Sequence, residues 1–182
     1  MALVFTTSYI QDARSLFRQS KGLADGAMAQ VSDEQFFAAL GEEENSIAIV
    51  VKHMAGNLRS RWTDFLTTDG EKPDRNRDSE FEQGTLTRAE LLEAWERGWA
   101  ALFHTLDSLT DADLARTIRI RGEAHSGMQA ISRALGHCAY HVGQIVLLAK
   151  HYAGANWKTL SVPKNKSAEF NRKVAAGEAS QR

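Results

Sequence analysis

His137 and His141 stand four residues apart in a stretch that reads as one long helix. At helical spacing their rings share a face, about 5–6 Å apart at Cβ. Two imidazoles so placed can reach one metal ion, because zinc–nitrogen bonds are about 2.0–2.1 Å long. On a helical projection the pair lies at the rim of the apolar stripe, above the small residues Ala130 and Ala134. Imidazoles at a buried rim need partners for their nitrogens, and a metal supplies one. A structural or catalytic site takes more than two protein ligands. His53 is the natural third, since its helical sector holds Ser46, Gly56, Asn57 and Ser60, a face of small and polar residues that borders a cleft. Taken singly, each histidine is more often a satisfied structural side chain; taken together, they point to a shared site. His151 lies about 21 Å along the axis from His137 and cannot share the ion. His104, near a helix end, and His125, in a loop, read as surface groups.

Four segments must position these side chains. Apolar residues recur at helical spacing over about 8–30, 46–66, 88–107 and 126–152. Gly22 and Gly26 allow a break in the first. Asn45 is an N-cap candidate for the second. Thr87 with Glu90 forms a capping box for the third, and Gly154 is the expected stop of the fourth. A short helical turn capped by Ser32 is expected over 31–41, an extended piece over 117–125, and a last short helix from Ser167. The segment 67–84 is highly charged and longer than a usual helix connection, which suggests function or mobility. The expectation is an all-α protein: one domain over 1–182, a four-helix bundle over about 5–154 with peripheral loops, and a C-terminal extension over 155–182.

Composition excludes several classes. The 182-residue chain has 22 Lys and Arg against 23 Asp and Glu, a formal net charge of −1, so the whole molecule has no electrostatic reason to seek nucleic acid. The basic stretches 116–121 and 158–166 read as solvated faces. A single cysteine, Cys138, excludes an internal disulfide and a multi-cysteine zinc site, and its position reads as packing. No run of about 18 apolar residues suggests a membrane span, and no signal peptide is apparent, so a cytoplasmic location is expected by default. There is no His-Glu-x-x-His, no Glu-x-x-His, no Walker A loop and no Gly-x-Gly-x-x-Gly.

The segments NSIAIVVKHMAGNLRSRW, DFLTTDGEKPDRNRDSEFE and HCAYHVGQI resemble the DinB-like superfamily, and within it a branch of uncharacterised bacterial proteins. The resemblance runs from the first helix to KTLSVPKNKSAEFN. It implies a four-helix bundle with one divalent metal (zinc, nickel, iron, manganese or cobalt) bound by three histidines, which map onto His53, His137 and His141. It also implies a homodimer.

Three neutral imidazoles leave an ion with its full charge and an open position, able to acidify water or hold a thiol as thiolate. The expected function is a metal-dependent transferase acting on a small molecule with a low-molecular-weight thiol. A metal-dependent hydrolase and a non-catalytic, stress-related metal-binding module are the alternatives. Asn57 and Gln144, each about one helical turn from a ligand, are candidates to orient ligands or substrate, or are structural hydrogen-bonding residues. Arg75 and Arg77 could recognise a carboxylate, although solvated loop charges are the simpler reading.

Overall fold

Side chains that satisfy the free backbone donors of the first turn set the helix starts. Ser46 Oγ accepts from the Ile49 N–H. Thr87 with Glu90 and Ser126 with Gln129 form complete capping boxes, as does Ser32 with Gln35. The computed structural model describes residues 5–179. Its helices are α1 (Phe5–Met28), α2 (Asp33–Phe37), α3 (Ile47–Trp62), α4 (Arg88–Ser108), α5 (Gly127–Ala153) and α6 (Ser167–Ala175). The architecture is therefore mostly helical, with one exception. The strands β1 (Thr117–Ile120) and β2 (Glu123–Ser126) pair antiparallel, Ile120 opposite Glu123. Their two-residue turn places Arg121 and Gly122 at φ 57° and 79°, the left-handed pair that matches the twist of a hairpin.

Sequence expectation and structure differ at a few boundaries. α1 runs unbroken through Gly22 and Gly26; Leu160 from the C-terminal tail packs over Gly26, so close that an added Cβ would lie 2.9 Å from it. α3 is capped by Ser46 rather than Asn45, and it ends at Trp62 rather than near 66. Just beyond, Asp64 turns to φ 50°, while Thr105 Oγ1 donates to the Trp62 carbonyl at 2.8 Å.

The core forms where α3 lies on α4, α1 on α5, and α3 on α5. α4 approaches α3 closely at Gly98, where a Cβ would sit 3.1 Å from the Ala55 carbonyl oxygen. Phe17 is fully buried and meets Trp62 and Trp99 edge-on, with centroids 5.9 and 6.3 Å apart. Trp62, Trp95 and Trp99 all lie in this core. No helix among the described residues is long and apolar enough to cross a membrane.

The charged segment 67–84 is tied down rather than loose. Asp69 accepts from the Arg121 and Gly122 N–H groups at 2.8 and 2.7 Å, which pins the segment to the hairpin turn. Ser60 Oγ donates to the Gly70 carbonyl at 2.7 Å and accepts from the Lys72 N–H at 3.0 Å. Further on, Lys52 Nζ donates to the carbonyls of Ser79 and Glu82, holding the 3-10 turn Asp78–Phe81 against α3.

Phe17→Ala would remove the ring on which two tryptophans pack. A loss of about 3–5 kcal/mol is expected, read as a lower urea midpoint with the far-UV helical signal retained in the native baseline.

Candidate metal centre

His53 projects from the middle of α3, and His137 and His141 from successive turns of α5. One ring nitrogen from each falls within 4.8 Å of the other two. His53 and His141 are buried and His137 is half-buried. His53 Nε2 and His137 Nε2 stand 3.2 Å apart, and the ring centroids of His137 and His141 are 4.6 Å apart.

The outer nitrogens of two rings are already engaged. His53 Nδ1 lies 2.9 Å from Glu80 Oε2. A carboxylate is an acceptor only, so Nδ1 carries the proton and Nε2 presents a lone pair to the cluster. His141 Nδ1 lies 2.7 Å from Gln144 Oε1, which again leaves Nε2 as the free nitrogen. This is the support that metal-bound histidines ordinarily have, a partner on the far nitrogen that fixes tautomer and ring orientation. Lone pairs facing each other at 3.2 Å repel unless a proton or a cation lies between them.

The donor set fits a divalent ion. Tetrahedral bonds of 2.0–2.1 Å place ligand nitrogens about 3.3 Å apart. The His53–His137 pair already has that spacing, and all three nitrogens lie within 4.8 Å of one another. Electrostatics favour neutral ligands: burial, then the neighbouring His141 and His53, bring the His137 pKa down to about 3. Burial also lowers that of His141, against the opposing pull of its bond to Gln144. Both rings are thus neutral near pH 7, as ligation demands.

Glu80 enters from the 67–84 segment. Burial works against its ionisation, but hydrogen bonds from Arg75 and His53 outweigh this and hold its carboxyl below the usual range. Arg75 grips both carboxylate oxygens, Nε to Oε1 and Nη2 to Oε2, each at 2.8 Å. Access requires Gly56, one turn after His53, because an added Cβ would lie 2.2 Å from Glu80 Oε1. The histidines face a cleft of about 380 Å³, walled in part by Asn57, Phe81, Tyr140 and Gln144.

A family model described as "Protein of unknown function (DUF1572)" matches residues 4–166. The chain belongs to this family. The DUF1572 match covers all three histidines, Glu80 and Arg75, and it stops just before α6. No curated protein matches the chain.

Other expectations are answered by position. His104 and His151 are exposed, and His125 lies on β2 with Nδ1 against the Glu123 carbonyl; none of the three joins the cluster. Asn57 lines the cleft without a side-chain hydrogen bond among the described residues. Arg75 is not a solvated loop charge, for its side chain is 2% exposed and paired with Glu80. Arg77 is the half-solvated one, lying over the Phe81 ring at 4.8 Å. Sequence reasoning missed Glu80. Its signal was present: a charged segment too long for a plain connection, opposite a glycine one turn from His53.

Glu80→Ala should weaken metal binding by about 10–100-fold, and Gly56→Ala should do the same by displacing the carboxylate. Competition with a chromogenic chelator would measure both, with circular dichroism confirming retained helix. Cys138 is buried, which pushes its thiol up to about 12. Its alkylation by iodoacetamide should therefore be slow in the native protein and barely accelerate from pH 7 to 9, whereas the unfolded thiol, with a pKa of about 8.5, would accelerate steeply.

Proposed function

We propose that this DUF1572 chain is a DinB-like four-helix bundle that holds one divalent ion with His53, His137 and His141 and transfers a low-molecular-weight thiol to a small electrophile. The convergence of three ring nitrogens at the floor of an open cleft carries this reading. Two of the rings are oriented by Glu80 and Gln144, so the ligand set is already arranged before an ion arrives. All-nitrogen sites accept zinc, nickel, iron, manganese or cobalt, and the donor set does not choose among them. When bound, the ion would supply positive charge and an open position at which a thiol is kept deprotonated.

The protein's own groups do the rest. Glu80, clamped by Arg75, holds the His53 ring and keeps its proton on Nδ1, away from the cluster. Gln144 does so for His141. Asn57 and Tyr140 stand on the cleft wall, their polar ends without a hydrogen bond among the described residues, placed to position a substrate. Cys138 takes no part; it is buried in the core.

Two measurements test the proposal. Elemental analysis of the purified protein should find about one divalent ion per chain, and a His137→Ala, His141→Ala variant should lose it. Equal content in both would end the metal assignment. Turnover of monochlorobimane should then depend on both metal and added thiol (bacillithiol, mycothiol or glutathione). Turnover of esters or amides without thiol would assign hydrolysis instead, and metal retention without any turnover would assign a non-catalytic role.

A further inference from the structure

The cleft over the histidines is lined by five arginines, Arg61, Arg75, Arg77, Arg121 and Arg133, and by no aspartate or glutamate. Two carboxylates meet this charge from behind. Glu80 holds Arg75, and Glu71 Oε2 is shared among Arg61, Arg75 and Arg121 at 2.9, 3.4 and 3.1 Å. Positive charge is therefore left over on the solvent side. The Arg77 guanidinium stacks on Phe81, and its nearest acid, Asp78, is 3.9 Å away and almost wholly in solvent. Arg121 keeps more than half of its side chain exposed. Arg133 has no hydrogen bond or ion pair among the described residues. It sits on α5 one turn before His137, and so on the same face. Arg61, by contrast, is already held through Nη1 by the Gly70 carbonyl and Glu71.

We propose that this cleft seats an oxyanion, a carboxylate or a phosphate carried by the reacting small molecule, on Arg133 with Arg121 and Arg77. Like charges gathered on one wall repel each other, and low-dielectric walls intensify their field; a bound anion relieves both. The guanidinium fork matches either oxyanion in a two-point hydrogen-bonded pair, which a lysine could not reproduce. Because Arg133 and His137 are one turn apart, a small molecule anchored by its anionic group would extend its remaining part over the histidine cluster. That last step, placing the reacting atom there, rests on the metal-centre reading above. The anion seat itself does not.

The test uses the full chain, metal-free and metal-loaded, titrated calorimetrically with succinate, inorganic phosphate and the neutral diamide succinamide. At least one anion should bind the metal-free protein at least about tenfold more tightly than succinamide, with affinity falling as salt is raised. Arg133→Gln should weaken that binding by about tenfold while leaving metal content unchanged, and Arg133→Lys should recover only part of it. Preference for succinate or for phosphate identifies the source of the oxyanion, and either supports the seat. Equal binding of succinamide, no anion binding in either form, or full affinity in Arg133→Gln would overturn it. Anion binding that persists in His137→Ala, His141→Ala separates this inference from failure of the metal assignment.

Discussion

A carboxylate buried beside a histidine is the constraint on which the rest of this structure depends. An isolated buried carboxylate costs several kcal/mol in lost hydration. Glu80 avoids that cost only because Arg75 grips both of its oxygens and His53 donates to one. The three groups come from one helix and one loop. Their pairing therefore requires the 67–84 segment to fold back across α3, and the contacts of Ser60, Asp69 and Lys52 secure that path. Gly56 is part of the same requirement, since any side chain there would occupy the space of the carboxylate.

That pairing shapes the cluster in turn. With its proton held on Nδ1, His53 turns a lone pair toward His137, and Gln144 imposes the same arrangement on His141. Rings that would otherwise be free to flip or rotate are set in advance, so an ion would meet ligands that need little rearrangement. The arrangement also explains why the segment carries so many charges. Some serve as anchors to the hairpin, one pair supports His53, and Arg77 lines the cleft.

The parts of the fold that the chain announced most clearly were those governed by local rules. The Thr87–Glu90 and Ser126–Gln129 boxes are short-range hydrogen bonds, and both helices start where those residues stand. The His137–His141 spacing is equally local, because four residues make about one helical turn. Where local rules compete, the outcome moved. Ser46 and Asn45 are both good caps, and Ser46 is the one whose Oγ accepts the Ile49 N–H. The strand pair after α4 was legible only as a brief alternation, since two strands of four residues are held as much by their contacts with Asp69 and α5 as by their own pattern. Arg75 read as a solvated charge because nothing in a linear sequence shows that a carboxylate five residues later will be buried beside it.

By itself, the sequence determined the helical periodicity, the caps that bound the long helices, and the presence of histidines on two of them with small residues nearby. These follow from interactions spanning four residues or fewer. Only the tertiary structure decided that His53 meets a pair 84 residues away, that Glu80 is its partner, and that arginines from α3, α5, the hairpin turn and the charged segment share one cleft. Such encounters depend on how helices cross and where loops are pinned, and those are properties of the packed core as a whole rather than of any stretch within it.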